Sequence, residues 1–575
     1  MSPVAFRPIY LLITAAAAIC VAWFVGPAAN LTYDRDREAA VNRTGRSVLS
    51  GGTVAALSLV ILILVGYIVA VVRWEDFADY DDSFFTLITL RGHNLMPPIW
   101  PASGRFFPLG RQEYNLVRHF ASSVVGYHVV PIAELLIVCC ILFVLDDALS
   151  IKARAGLTAA CLLLPSVVSS FTGLVYPESD VVFWLVCLLF FVKLFVRNQS
   201  TIWAVAAAIC AQNMIYYKET AFLLVLGFAA GRLILRCRRA EGKGWDFNRL
   251  RDRQSRLDIC FICLALLFLL SYAVVMIGHH NLQYADLYKV SWGQALFYYF
   301  RLDPLALVLV AVTLRRAYLI LLRRSAPLLL WDGLAFGGVA CYAAYLDLGL
   351  CMPYYLAPVD VIAVLYVGRL VVLSWAKLRT GPRIATSALV IAVLVHNVSL
   401  SAFRVYEREN VIHAKSLIAD AIAAQSQRDL NHTQRLFIPF STPYIIAEYA
   451  SYLTYRGVRV EGYEGAAKPG APSITISGGD FTQDGPCVNY MNFVCHASND
   501  PASGDLVIEL PDDVESAADL NRYRSGGDLL FSYEPRPRIA PWMEPLLGYL
   551  HVISFPFWYK DLPDRWLHAS ITKWP

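Results

Sequence analysis

Charged residues are scarce in this chain of 575 residues, making up 16% of it, whereas hydrophobic residues make up 57%. A soluble protein carries a charge on about a quarter of its residues, so an ordinary soluble fold is excluded for most of the chain. The motifs GKS or GKT, HExxH and GxSxG are also absent. Nothing therefore indicates a phosphate-binding loop, a zinc protease or a serine hydrolase. Because no basic stripe marks a soluble surface, we expect no nucleic-acid partner.

Long apolar runs dominate the sequence instead, and several approach the ~20 residues that a membrane-spanning helix needs. We predict a mainly α-helical, polytopic membrane domain at residues 1–403, followed by a soluble α/β domain at residues 404–575, which is polar and has no spanning run. The twelve predicted spans are 9–27, 51–72, 129–145, 155–174, 180–197, 200–216, 220–235, 257–277, 303–322, 327–346, 354–374 and 384–402.

Lys and Arg set the predicted orientation, because they concentrate in cytoplasmic loops. Residues 236–256 contain eight of them, and we place this loop in the cytoplasm. Alternation of the spans then puts residues 73–128 and the C-terminal domain on the opposite, outer face. In an oxidising compartment Cys487 and Cys495 of this domain would form a disulfide, with two free thiols as the alternative.

Two segments predict close contact between helices. GFAAG (227–231) and GLAFG (333–337) each space two glycines four residues apart. This small-xxx-small pattern is typical of membrane helices whose backbones approach closely. It requires no catalytic role.

The outer loop at 73–128 concentrates acidic residues between apolar segments, a pattern that predicts short amphipathic helices on the membrane surface. Asp81 and Asp82 are adjacent and stand just before SFF, which should be partly buried. Adjacent acids repel each other, and such a pair in a half-dry cleft suits a general base, a metal site or both. The alternative is a set of solvated acids that merely flank a span.

Ionisable groups recur at other outer-face junctions. Glu178 stands at the start of one predicted span, and Lys218 and Glu219 stand at the start of another, where charge is costly and suggests function. A local ion pair is the alternative for Lys218 and Glu219. Arg105 and Arg301 lie on this face against the expected charge bias, and a phosphate ligand would explain them, because Arg matches phosphate oxygens with paired donors.

Taken together, these features resemble the GT-C superfamily of polytopic glycosyltransferases. DYDDSFF (79–85) looks like its acidic loop motif, YPESD (176–180) like its second acidic site, and YYKETAFLL (216–224) like a third recurrent junction. PYYLAPV (353–359) is similar to the opening of a late span in many members. The likeness covers roughly residues 51–402, and the additional span at 9–27 departs from the family pattern.

The resemblance implies an enzyme that transfers a sugar from a polyprenyl phosphate to a lipid-linked glycan, a lipid or a protein. It implies the periplasmic face of a bacterial inner membrane, with membrane lipids as partners. Asp81 or Asp82 would be the base and Glu178 a second acid, with Mg or Mn as an optional ion at Asp82 and Glu178. One base with direct displacement would invert the anomeric centre. The residues expected to bind the donor phosphate or line its cavity are Arg105, Lys218, Glu219, Arg301, Tyr354 and Tyr355.

Two rival classes share this layout. A polymerase or ligase of lipid-linked glycans would use a diphosphate-linked donor, with its key basic residues usually in later outer loops. A transporter or flippase of lipid-linked sugars would need two halves that alternate in access. The clustered outer-face acids and the large outer domain favour the glycosyltransferase over the transporter.

Overall fold

The structure is a computed structural model. Two predicted site residues, Asp81 and Cys487, lie outside the residues that it describes. The described residues are 3–25, 51–73, 76–78, 82–101, 104–238, 245–277, 290–349, 351–428, 433–439, 443–463, 471–478, 494–498, 500–510, 523–535, 543, 546–550 and 568–575.

The described chain is mainly helical, and each of the twelve predicted apolar runs coincides with a helix or a bent pair of helices. Three short 3-10 segments also occur, at Phe247–Arg251, Pro353–Leu356 and Trp375–Lys377. In chain order the α-helices are α1 (Pro3–Val25), α2 (Gly51–Arg73), α3 (Asp82–Phe85), α4 (Leu87–Leu90), α5 (Tyr114–Val117), α6 (Val124–Leu145), α7 (Ile151–Leu162), α8 (Pro165–Thr172), α9 (Glu178–Asn198), α10 (Thr201–Tyr217), α11 (Ala221–Cys237), α12 (Arg253–Met276), α13 (Trp292–Leu302), α14 (Leu305–Leu321), α15 (Leu329–Leu348), α16 (Ala357–Ser374), α17 (Thr380–Arg428) and α18 (Pro443–Tyr455).

Within the described residues, seven helices are long and apolar enough to cross a membrane, or nine if each of two bent pairs is one span. The pair α7–α8 bends by 67° and the pair α13–α14 by 104°. Pro165 and Pro304 stand at these breaks, where proline cannot continue the preceding helix. Helices α10 and α11 have only 17 residues each, and α1, at the predicted span 9–27, contributes only the shorter apolar stretch Tyr10–Val25. The number of candidate spans is therefore lower than the twelve predicted, although the composition is that of a membrane protein.

The predicted close packing of the two glycine segments is confirmed between α11 and α15. A Cβ atom added to Gly227 would lie 3.0 Å from the Cα of Gly337, and one added to Gly337 would lie 2.6 Å from the carbonyl oxygen of Leu224. Only hydrogen fits at these positions, so the two backbones touch directly.

Helix α17 joins the apolar bundle to the C-terminal domain without a break. Its 49 residues give a length of ~74 Å at 1.5 Å per residue, more than twice the ~30 Å hydrocarbon core of a bilayer. The predicted domain boundary at 403/404 lies within this helix. Its second half carries Ile412, Ile418 and Ile422 into a core shared with the sheet of the C-terminal domain. The same continuous helix therefore belongs to the apolar bundle and to the core of this domain.

The C-terminal sheet is mixed. Its described strands are β3 (Gln434–Ile438), β4 (Arg459–Val460), β5 (Ser473–Gly478), β6 (Cys495–Ala497), β7 (Leu506–Glu509), β8 (Asp528–Tyr533) and β9 (Ala569–Lys573). They follow the order β4-β5-β3-β7-β9-β8, with β6 paired to β5. Pairing is parallel among β3, β4, β5, β6 and β7, whereas β9 runs antiparallel to both β7 and β8. A small antiparallel pair, β1 (Ile99–Trp100) and β2 (Arg105–Phe106), lies in the loop between α2 and α6.

Buried polar contacts fasten that loop to the C-terminal domain. Asp76 Oδ2 accepts hydrogen bonds from Tyr452 Oη at 2.5 Å and Ser416 Oγ at 2.9 Å, and it also pairs with Arg456. Arg456 pairs in addition with Asp420 on α17. Since Asp76 follows α2 closely, this network fixes the start of the loop on both α17 and α18.

Candidate functional site

One end of the helical bundle gathers the predicted site residues, and we call it the loop end. Helix α9 begins there at Glu178, α10 ends there at Tyr217, and α11 begins there at Ala221. The backbone N–H of Leu109 donates to the carbonyl oxygen of Tyr216 at 3.1 Å. This contact lays the loop between α2 and α6 over the loop end.

Lys218 and Glu178 form an ion pair inside the loop end. Lys218 Nζ lies 2.7 Å from Glu178 Oε1, and both side chains are buried. The same ammonium lies over the ring of Tyr355, 4.6 Å from its centroid. Burial lowers the pKa of Lys218, and the charge of Glu178 opposes that shift. The pair is therefore a strong local dipole with little water to screen it.

A second ion pair stands beside the first. Arg105 Nε donates to Glu219 Oε1 at 2.9 Å, and the backbone N–H of Phe106 donates to the same oxygen at 3.1 Å. Burial alone would raise the pKa of Glu219, but the cations Arg105 and Lys218 outweigh it and hold that pKa below its usual value. The Arg105–Glu219 ion pair thus connects strand β2 with the turn before α11. Each of the two cations has its own carboxylate partner, Glu219 for Arg105 and Glu178 for Lys218.

The Tyr355 ring that Lys218 faces belongs to a group of stacked tyrosines. Tyr354 stacks on Tyr176 at a centroid distance of 4.3 Å, and Tyr355 stacks on Tyr345 at 5.4 Å. Both residues lie in the 3-10 segment before α16, which bends the chain across the bundle. The structure therefore brings Tyr355 and Lys218 together, while Tyr354 lies one ring further away.

Asp82 is buried at the first residue of α3 and is 2% exposed. Ring contacts connect its helix with Lys218, because Phe85 meets Trp100 at 6.2 Å, Trp100 meets Phe107 at 5.6 Å, and Lys218 lies 5.9 Å from the Phe107 centroid. Asp82 thus belongs to the loop end, but its side chain is enclosed.

Arg301 is the one charged residue among the predicted donor-binding residues for which the described part of the chain shows no ion pair. Its guanidinium lies over the ring of Phe297 at 5.4 Å, within the same helix α13. An arginine that stacks on its own helix is held in place by that ring. The structure gives no contact between Arg301 and Lys218.

A divalent ion at Asp82 and Glu178 stays a prediction, and the described geometry places another cation at one of these carboxylates. The ammonium of Lys218 already faces Glu178 Oε1 at 2.7 Å, and a metal ion there would have to displace it. Among the described residues no group of three His, Cys, Asp or Glu side chains could hold a metal ion. Lys218 supplies the positive charge at this carboxylate.

Sequence reasoning missed Glu113 and Glu134, two carboxylates that lie near these ion pairs together with Asp180. Tyr217 Oη donates to Glu113 Oε2 at 3.3 Å, and the side chains of Glu134 and Asp180 lie close enough to interact electrostatically with Glu113 and with each other. Burial raises the pKa of Glu113 to about 7, against the opposing effects of its hydrogen bonds and of Arg111. The sequence did contain one indication of this group: Glu134 is the single acid in the predicted span 129–145. An acidic residue inside a membrane span suggests a functional role, because its charge is costly there.

Cys495 lies in β6 and is disulfide-bonded. Its predicted partner, Cys487, lies outside the described residues, so the pairing of the two stays a prediction. The described residues also line two small cavities elsewhere, one at Trp331 on α15 and one at Tyr449 on α18. No predicted site residue lines either cavity.

Comparison with known proteins finds no counterpart: no family model, no curated protein and no solved structure matches this chain. Any function assigned to the loop end must therefore be supported by its own residues. The resemblance of its short motifs to the GT-C superfamily remains a likeness of layout.

Proposed function

We propose that the chain is a membrane glycosyltransferase, which moves a sugar from a polyprenyl-phosphate donor to a hydroxyl of a lipid-linked glycan, a lipid or a protein. The observation that carries the proposal is Lys218, a buried ammonium held between Glu178 and the ring of Tyr355 at one end of an apolar helical bundle. A donor with a lipid tail has its charged headgroup at such an end. The proposed location is a bacterial inner membrane, with the loop end facing the periplasm.

The chemistry needs positive charge where the phosphate leaves. As the acceptor oxygen attacks the anomeric carbon, the bond from that carbon to the phosphate oxygen breaks, and the phosphate carries away the electron pair. Lys218 and Arg105 are neighbouring cations held in position by Glu178 and Glu219. Preorganised charge of this kind stabilises a transition state without a cost of reorientation. A single displacement of this type inverts the anomeric centre.

The experiment is sugar transfer by the purified protein in nanodiscs, with a panel of polyprenyl-phosphate sugars and a membrane-lipid extract as acceptor. Lys218→Met is compared with Lys193→Met. Lys193 is a matched control, because it pairs with Asp147 at the same 2.7 Å but lies near the far end of α9. We expect transfer to be lost in Lys218→Met and retained in Lys193→Met.

Three outcomes would change the proposal. Equal transfer by both variants would make the Lys218 pair structural. Use of diphosphate-linked glycans, with no use of monophosphate donors, would favour a polymerase or ligase. Loss of transfer on addition of a chelator would assign a role to Mg or Mn that the described geometry does not suggest.

A further inference from the structure

A base for the proposed reaction must reach the acceptor hydroxyl, and this requirement separates the carboxylates of the loop end. Glu178 and Glu219 each hold a cation, and Asp76 is tied to the C-terminal domain. Asp82 is 2% exposed. Glu113, in contrast, is a half-buried residue and takes part in no ion pair among the described residues.

We propose that the carboxylate of Glu113 takes the proton from the acceptor hydroxyl, with Tyr217, which donates a hydrogen bond to it, as its positioning residue. The inference rests on the proposed function and deepens it, since it assigns the base to Glu113 and not to Asp81 or Asp82. The ligand class is an alcohol, namely a sugar or lipid hydroxyl. Carboxylates accept hydrogen bonds from such groups, and a positioned carboxylate can serve as a general base.

Arg111 is a second and independent indication of a ligand at this place. Its side chain is nine-tenths buried, its Nε donates to the carbonyl oxygen of Val175 at 2.8 Å, and its guanidinium lies over the Phe85 ring at 3.7 Å. Its Nη1 is buried without a hydrogen-bond partner among the described residues. The charge of Arg111 acts on Glu113. A buried donor without a partner is costly, and an oxygen of the acceptor would satisfy it.

The site also adjoins the ion pairs that would hold the donor. Tyr217, which donates to Glu113, directly precedes Lys218 in the chain. Asp180 and Glu178 both lie in the first turn of α9 and act on each other electrostatically. A hydroxyl bound at Glu113 would therefore lie on the same end of the bundle as a phosphate bound at Lys218, as a direct displacement requires.

The proton balance of the step is simple. The O–H bond of the acceptor breaks, its electron pair forms the new bond to the anomeric carbon, and the proton moves to Glu113. The polyprenyl phosphate leaves with the electron pair of the broken bond. Tyr217 Oη, which donates to Glu113 Oε2 at 3.3 Å, keeps that carboxylate in place.

The test compares Glu113→Gln with Asp82→Asn and with Glu409→Gln in the nanodisc transfer assay. Glu409 is a matched control because it is also partly exposed but pairs with the surface residue Arg73 at 2.6 Å. We expect Glu113→Gln to lower kcat by about 10²- to 10⁴-fold, the range for a general base. The KM for the donor should stay unchanged, because Lys218 is intact. Glu409→Gln should retain transfer.

A pH profile separates a base from a merely structural residue. The groups that face or act on Glu113 are Tyr217, Arg111, Glu134, Asp180 and Tyr114. Because the pKa of Glu113 is about 7, wild-type kcat/KM should rise as the pH passes through that value. The residual activity of Glu113→Gln should be flat there, and Glu113→Asp should restore part of the rise.

The outcomes distinguish this inference from the proposed function. Loss of transfer in Asp82→Asn with full activity in Glu113→Gln would overturn the inference and leave the glycosyltransferase standing. An unchanged pH profile in Glu113→Gln would also overturn it. A wild-type protein that transfers no sugar from any donor would remove the proposed function and the inference together.

Discussion

The ammonium of Lys218 lies 2.7 Å from Glu178 Oε1, and neither side chain is appreciably exposed. Burying two charges costs desolvation free energy, and this cost can exceed the attraction between them. A buried ion pair therefore need not stabilise the folded protein. Replacing both members by uncharged groups of similar size is often neutral, whereas removing one leaves an uncompensated charge. This asymmetry provides a way to separate stability from function.

We expect Lys218→Met and Glu178→Gln each to destabilise the protein by about 3–5 kcal/mol, the usual result of leaving one buried charge alone. The double variant should recover most of that loss. The measurement is thermal unfolding in detergent, together with sugar transfer by the same preparations. A double variant that is stable but inactive would show that the pair serves the reaction. Full activity in the stable double variant would mean that the Lys218–Glu178 pair has no role in the transfer reaction.

The second ion pair gives a pH dependence of stability. The folded pKa of Glu219 is held below its usual value of ~4.3 by Arg105 and Lys218. A lowered folded pKa contributes stability above the unfolded pKa, and this contribution is lost as the pH falls through the folded pKa. The apparent Tm of the wild type should therefore drop as the pH falls below ~4.3.

The control for that prediction is a pair of amide variants. Glu219→Gln should have a lower Tm than the wild type at neutral pH and should lose less on acidification. Asp147→Asn, at a half-exposed carboxylate that pairs with Lys193, should follow the wild-type curve. Parallel curves for Glu219→Gln and the wild type would contradict the assigned shift.

The sequence was a good guide to the helices and a partial guide to the site. Hydropathy finds apolar helices because burial and insertion both select the same residues. The glycine spacing predicted close helix packing at each segment, but only the structure shows that α11 and α15 are the helices that pack on each other. Hydropathy did not reveal the bends at Pro165 and Pro304, because it measures how apolar a segment is and not the direction of the helix axis. The bend at Pro165 leaves two helices where the sequence predicted one span, 155–174. The domain boundary at 403/404 was placed where hydropathy falls, yet α17 continues, since helix propensity does not depend on hydrophobicity.

Side-chain partners could not be predicted in the same way. Asp76 and Asp82 belong to one acidic segment, but tertiary contacts give them different surroundings: Asp76 bonds to Arg456, 380 residues away, and Asp82 is enclosed in α3. Glu113 and Asp180 come from separate parts of the chain. No local pattern indicates that they lie near each other, because the bundle, and not the sequence spacing, brings them together.

The contacts of Asp76 predict that one substitution weakens the attachment of the loop after α2 to the C-terminal domain. Asp76→Asn should weaken the bonds to Arg456, Tyr452 and Ser416, because a neutral amide cannot pair with the guanidinium and charge-assisted bonds are the stronger kind. We expect faster hydrogen exchange in α18 and earlier proteolysis of the loop after α2. Arg73→Gln, which removes an ion pair of an exposed arginine, should change neither, since such pairs contribute ~0–1 kcal/mol. Equal exchange in both variants would mean that the apolar core alone holds the domain.

Because α11 and α15 touch at their glycines, adding a single methyl group at this contact should destabilise the protein. Gly337→Ala would put a methyl group 2.6 Å from the carbonyl oxygen of Leu224, which is backbone and cannot turn aside. The helices would have to separate, and overpacking of this kind costs about 1–3 kcal/mol. The matched control is Gly66→Ala in α2, where nothing lies within 4 Å of the added Cβ; there alanine should be neutral or stabilising, because it is the better helix former. Thermal unfolding in detergent measures both variants. A Gly337→Ala protein as stable as Gly66→Ala would mean that the helices do not touch at these glycines.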